Sequence, residues 1–112
     1  MESLGTHALV RVFGSDFDTL NHLGRLREAF EHTVLSHGLV ALSDPILHQF
    51  EPQGLTGIIL LAESHISIHT WPEKGEAAID VFTCGGRPSS EIAKSFCMFL
   101  GCVSYDIQEI ER

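Results

Sequence analysis

The segment Ser64–Thr70 constrains the fold more than any other, because His65, Ser67 and His69 alternate there with Ile66 and Ile68. A period of two sends successive side chains to opposite faces of a β-strand, so this strand carries one polar and one apolar face. A sheet containing it buries its isoleucine side and leaves its histidine side for solvent or for a packing partner. Other segments fit the same sheet. Ala8, Val10 and Val12 alternate with His7, Leu9, Arg11 and Phe13, and Val103, Tyr105 and Ile107 alternate near the C-terminus. Leu55 to Leu61 is a branched apolar run suited to a buried strand, and Ala77 to Thr83 reads as another. Leu39 to Phe50 is expected to hold a further strand, irregular near Asp44-Pro45.

Two segments follow the helical period instead. Leu20, Leu23, Leu26, Phe30 and Val34 form one apolar stripe, predicting a helix from about Phe17 to Ser36, capped by Ser15 or Asp16 and ended at His37-Gly38. A second helix opens at Pro88 and presents Ile92, Phe96, Phe99 and Leu100. Strand, helix, several strands, helix, strand is the order of an α+β fold: a two-layer α/β sandwich, an antiparallel sheet with two helices on one face. The 112 residues suffice for one such domain, spanning 1–112.

Charge narrows the functional classes. Seven Lys+Arg against fifteen Asp+Glu leave a formal charge of -8, which disfavours nucleic acid and suits a cationic ligand. No apolar run approaches the roughly 20 residues of a membrane span. Met1–His7 lacks the basic and apolar regions of a secretory signal, so a cytoplasmic location and no membrane partner are expected. Cys84, Cys97 and Cys102 form no C-x-x-C pair; the last two read as packing residues, whereas Cys84 follows a strand and precedes Gly85-Gly86.

Protic groups concentrate between Gln53 and Gly85, and spacing alone leaves their chemistry open. A metal bound by His65 and His69 is disfavoured, since residues four apart on a strand lie about 13 Å from each other. A Cys84–histidine hydrolase would need a lowered thiol pKa and an oxyanion hole, neither visible in sequence.

The ordered set Glu63-Ser64-His65, Ile68-His69-Thr70-Trp71-Pro72-Glu73 and Asp80-Val81-Phe82-Thr83-Cys84-Gly85 resembles the prokaryotic S-adenosylmethionine decarboxylase proenzyme family, as do Phe50–Gly54 and Ser3–His7. The resemblance spans nearly the whole chain. It implies self-cleavage between Glu63 and Ser64 into segments 1–63 and 64–112, with Ser64 becoming a pyruvoyl cofactor that forms a Schiff base with substrate. His69 is implied as a processing residue, supported by the Thr56 hydroxyl, and Cys84 as the proton donor. A thiol suits that role because its ordinary pKa of about 8.5 keeps it mostly protonated near neutrality. Phe50 and His69 are implied to flank an adenine and Glu73 to bind ribose hydroxyls. The resemblance further implies a homodimer of cleaved protomers with active sites near the subunit interface, and no metal is expected.

Lys74-Gly75-Glu76 places charge where many relatives carry an aromatic, and Gly86-Arg87-Pro88 replaces a frequently acidic stretch. Decarboxylation of arginine or ornithine on the same scaffold is therefore the alternative substrate reading. A non-catalytic ligand-binding module is the alternative of another class.

Overall fold

A computed structural model describes residues 3–112. Its elements run β1 (Gly5–Val12), α1 (Phe17–Leu20), α2 (Leu23–Ser36), β2 (Ile46–Gln49), β3 (Leu55–Leu61), β4 (Ser64–Trp71), β5 (Glu76–Cys84), α3 (Ser89–Leu100) and β6 (Tyr105–Glu111), with a 3-10 turn at Pro72–Lys74. The strands form one six-stranded sheet in the order β2-β3-β4-β5-β1-β6, and each neighbouring pair is antiparallel. This is the expected α+β sandwich.

Alternation decides which face is covered. Ala8, Val10, Val12, Ile59, Ile66, Ile68, Ile79 and Val81 are buried beneath Leu26, Ala29 and Phe30 of α2 and Ile92, Phe96 and Leu100 of α3. The Phe30 and Phe96 rings join the two helices with centroids 4.8 Å apart. Gly57 permits α2 to approach: a Cβ there would lie 2.9 Å from both Phe30 and Leu47 side-chain carbons. Among the described residues, no helix lies over the opposite sheet face. That face presents His7, Leu9 and Arg11 from β1, His65, Ser67 and His69 from β4, and Asp80 and Phe82 from β5.

Two expectations change. The helix anticipated from Phe17 to Ser36 is broken at Asn21-His22. Asn21 turns outward because its side-chain oxygen accepts from the Gly54 amide at 2.9 Å and its carbonyl accepts from the Gln49 side chain at 2.8 Å. His22 then starts α2 afresh, its Nδ1 accepting from the Arg25 amide at 3.1 Å, while Asp16 makes no side-chain cap on α1. The strand anticipated within Leu39 to Phe50 shrinks to Ile46–Gln49, beyond Pro45, with only Ala41 bridging to Leu61 before it.

Candidate active site

Six of the seven singled-out residues lie on β3, β4 and β5 or the turns that join them, and they gather into two groups. At one end of the sheet, Glu63 closes the tight turn between β3 and β4, and Ser64 begins β4. Leu61 and Ser64 are directly paired, leaving only Ala62 and Glu63 to reverse the chain. Glu63 has φ 62, making it the one non-glycine residue in the left-handed region among the described residues. A side chain with a Cβ is disfavoured there, so this backbone is strained on the acyl side of the Glu63–Ser64 bond.

Cys84 ends β5 beside that turn. Its thiol donates to the Glu63 carboxylate at 3.3 Å. This hydrogen bond, then burial, then the charge of Glu63 push the Cys84 pKa up, while the Ser64 hydroxyl works in the opposite direction. In the uncleaved chain Cys84 is therefore held as a thiol rather than a thiolate. Gly5 makes this corner possible: a Cβ on it would fall 2.1 Å from the Thr83 carbonyl oxygen and 2.9 Å from the Cys84 Cα.

At the other end, Thr56 and His69 are register partners on β3 and β4, and Thr56 Oγ1 lies 3.0 Å from His69 Nδ1. The hydrogen bond leaves Nε2 as the free ring nitrogen. The strand end carrying His69 is anchored by Thr70, whose hydroxyl donates to the Leu20 carbonyl and accepts from the Leu55 amide, both at 2.8 Å. Phe50 follows β2, is 49% exposed and packs edge-on against His48 with centroids 4.5 Å apart. Its amide donates to the Gly54 carbonyl at 2.8 Å, which keeps it close to the start of β3. Glu73 sits exposed in the 3-10 turn that follows β4, so it too lies at the His69 end.

The structure does not bring these two groups together within one chain. Ser64 and His69 are five residues apart on one strand, a span of roughly 16 Å at ~3.3 Å per residue. A base must come within about 3 Å of the proton it takes, directly or through one water. His69 therefore cannot serve the Ser64 of its own chain.

Between the two groups lies a cluster that the sequence reading passed over. Asp80 accepts from His7 Nε2 at 2.6 Å, from His65 Nε2 at 2.9 Å and from the Ser67 hydroxyl. Burial pushes the Asp80 carboxyl up, but the hydrogen bonds from Ser67, His65 and His7 outweigh it and hold the group below its ordinary value. Ligand atoms of His7, His65 and Asp80 fall within 4.8 Å of one another, close enough for one cation to bridge. The Arg112 guanidinium lies 3.1 Å from His7 Nδ1 and donates to it, which places the His7 proton on Nε2. That tautomer matches a hydrogen bond to Asp80 rather than a metal bond through Nε2. Beside the cluster is a cleft of ≈ 460 Å³ lined by Arg11, Ser67, His69, Asp80, Asp106 and Gln108, among others.

Comparisons with known proteins point to one family. The family model described as S-adenosylmethionine decarboxylase matches residues 6–112. The chain belongs to the S-adenosylmethionine decarboxylase family. A relative from Persephonella marina, named S-adenosylmethionine decarboxylase proenzyme, is 50% identical over 97 residues, covering 87% of this chain and 72% of the relative. Another proenzyme of that name, from Geobacillus kaustophilus, is 35% identical over 112 residues, covering 100% of this chain and 90% of its own length. The crystal structure of the adenosylmethionine decarboxylase from Aquifex aeolicus VF5 superposes with a TM-score of 0.88 at 39% identity, covering 100% of this chain and 92% of that one. The likeness extends over the whole chain.

Proposed function

We propose that this chain is a proenzyme that cuts itself between Glu63 and Ser64 and then decarboxylates S-adenosylmethionine, working as a homodimer. The observation that carries the reading is the strained junction at Glu63–Ser64, whose Glu63 carboxylate accepts from the Cys84 thiol, in a chain of this family.

Self-cleavage needs no outside reagent except water. The Ser64 hydroxyl attacks the Glu63 carbonyl carbon; the C–N bond breaks, an ester forms, and the hydroxyl proton passes to the freed amine. Loss of the residue-64 α-proton then breaks the Cβ–O bond, releasing the Glu63 carboxylate and leaving a dehydroalanine. Addition of water and departure of ammonia turn that residue into a pyruvoyl group. Peptide resonance opposes the first step, and the left-handed Glu63 weakens that opposition by raising the energy of the uncleaved chain.

The residues at the start of β4 fit a pyruvoyl group. Ladders from β3 and β5 continue to hold Ser67 and Ile68 after cleavage, so the new N-terminus stays beside Cys84. Once formed, that group supplies an electron sink for loss of carbon dioxide from an α-amino acid substrate. Cys84 holds the proton for return to the substrate α-carbon. Phe50 offers an aromatic face to adenine, Glu73 a carboxylate to ribose hydroxyls, and His69 the second face of the base. Asp80 and Asp106 line the cleft beside His69 together with Arg11, whose guanidinium pairs with Glu76 at 3.2 Å, leaving a negative character that suits a sulfonium cation.

The roughly 16 Å between Ser64 and His69 favours a shared site. Two sheets stacked face to face about a two-fold axis would set Ser64 and Cys84 of one protomer against the partner's Thr56, His69, Phe50 and Glu73, and generate two equal sites. The uncovered sheet face suits such packing, since Leu9, Leu60, Trp71 and Ile110 are each between 39% and 45% exposed there.

Release of labelled carbon dioxide tests the substrate. S-adenosylmethionine is expected to be turned over by the cleaved protein, while arginine and ornithine are not. Turnover of either free amino acid without turnover of S-adenosylmethionine would overturn the assignment. The described residues contain no helix long and apolar enough to cross a membrane.

A further inference from the structure

The turn that presents the scissile bond is built from residues that do not favour it. A two-residue hairpin commonly places glycine, asparagine or aspartate where φ is positive, yet the residue there is Glu63 at φ 62. Its side chain crosses to the neighbouring strand end and accepts the Cys84 thiol at 3.3 Å. Cys84 in turn sits at the end of β5, whose backbone is locked against β1 by the Gly5–Cys84 pairing. One carboxylate therefore spans the turn to be broken and the rigid strand that bears the proton donor. We infer that Glu63 is a positioning residue for self-cleavage, its contact with Cys84 pinning the left-handed backbone before Ser64 and keeping the thiol engaged until cleavage frees residue 63.

The inference rests on the self-cleavage proposed above and adds a role for the Glu63 side chain. The conformation of residue 63 sets where its carbonyl carbon lies relative to the Ser64 hydroxyl. Without a side-chain tether, a non-glycine residue relaxes toward the ordinary right-handed or extended regions and carries that carbon with it. The same tether acts on the thiol. A carboxylate beside Cys84 disfavours the thiolate, which is the form that reacts with electrophiles. Cleavage leaves Glu63 as a chain end, released from the turn.

Two measurements test this. The first uses the uncleaved Ser64→Ala chain and the alkylation of Cys84 by iodoacetamide as a function of pH. Cys97 and Cys102 are buried, and burial pushes the Cys97 thiol up to about 12 with Cys102 raised in the same sense, so Cys84 supplies the signal. Adding Glu63→Gln is expected to speed alkylation near neutrality about fivefold, the effect of removing a unit charge at this distance in screened water. The pH profile should move down with it. Unchanged rates and an unchanged profile would overturn the inference.

The second follows cleavage by intact mass in chains that retain Ser64. Glu63→Gln and Glu63→Gly should both cleave several times more slowly, glycine more so because it occupies the left-handed region without strain or tether. Wild-type speed in both would overturn the positioning role while leaving self-cleavage standing. If the unsubstituted chain stays whole, self-cleavage itself fails and this inference goes with it.

Discussion

Ser64 and His69 stand five positions apart on one strand, and mixing experiments expose what that spacing demands. Ser64→Ala removes the residue to be converted and leaves the Thr56–His69 pair intact; His69→Ala does the reverse. Each variant alone should remain uncleaved. When both chains are co-expressed in equal amounts, random pairing makes about half the dimers mixed. In the proposed homodimer, Ser64 of the His69→Ala chain would face the partner's His69 in each mixed pair, restoring one complete site. About half of the His69→Ala chains, or about a quarter of all chains, should then be cut. The geometry behind this is the ~3.3 Å rise per residue, which places His69 roughly 16 Å from its own Ser64 against a working reach of about 3 Å. Distinct tags on the two chains and intact-mass spectrometry of the mixture give the readout. Absence of cleavage in the mixture, or efficient cleavage of His69→Ala alone, would refute a site shared between protomers.

Other expectations follow from the packing and the charges. Phe96 is fully buried against Phe30, so Phe96→Ala should cost about 3–5 kcal/mol in denaturant unfolding; a loss below about 1 kcal/mol would mean the two helices do not meet there. Asp80 is held below its ordinary pKa in the folded chain, so its contribution to stability is present above the unfolded value near 3.8 and is lost as pH falls through the lower folded value. Asp80→Asn should therefore flatten the acid limb of the stability curve and cost about 1 kcal/mol at neutral pH, a modest figure because the carboxylate is partly exposed. An unaltered acid limb would contradict the hydrogen-bond network.

Much of this architecture was legible in the chain. The alternation of His65, Ser67 and His69 with Ile66 and Ile68 correctly assigned the two faces of β4, and the stripes through Phe30 and Phe96 found the helices that cover one of them. The break at Asn21 was not legible, because the groups that turn it outward belong to Gln49 and Gly54, far along the sequence. Nor was the Asp80 cluster: His7, His65 and Asp80 come from three strands, and only the register of β1 and β4 on either side of β5 brings them together. The left-handed conformation of Glu63 carries no compositional signal, since glutamate is not a turn former; it became visible only with the backbone. The distance between Ser64 and His69, by contrast, could be counted from the sequence once the strand was recognised.

Self-cleavage is read from the mass of the freshly purified, denatured protein beside its Ser64→Ala counterpart. Self-cleavage gives one fragment ending at Glu63 and a second beginning at residue 64, the second lighter by one ammonia than hydrolysis alone would leave it, while the Ser64→Ala chain stays whole. A single intact chain from the unsubstituted protein, or a second fragment that begins with an unmodified serine, would contradict the account.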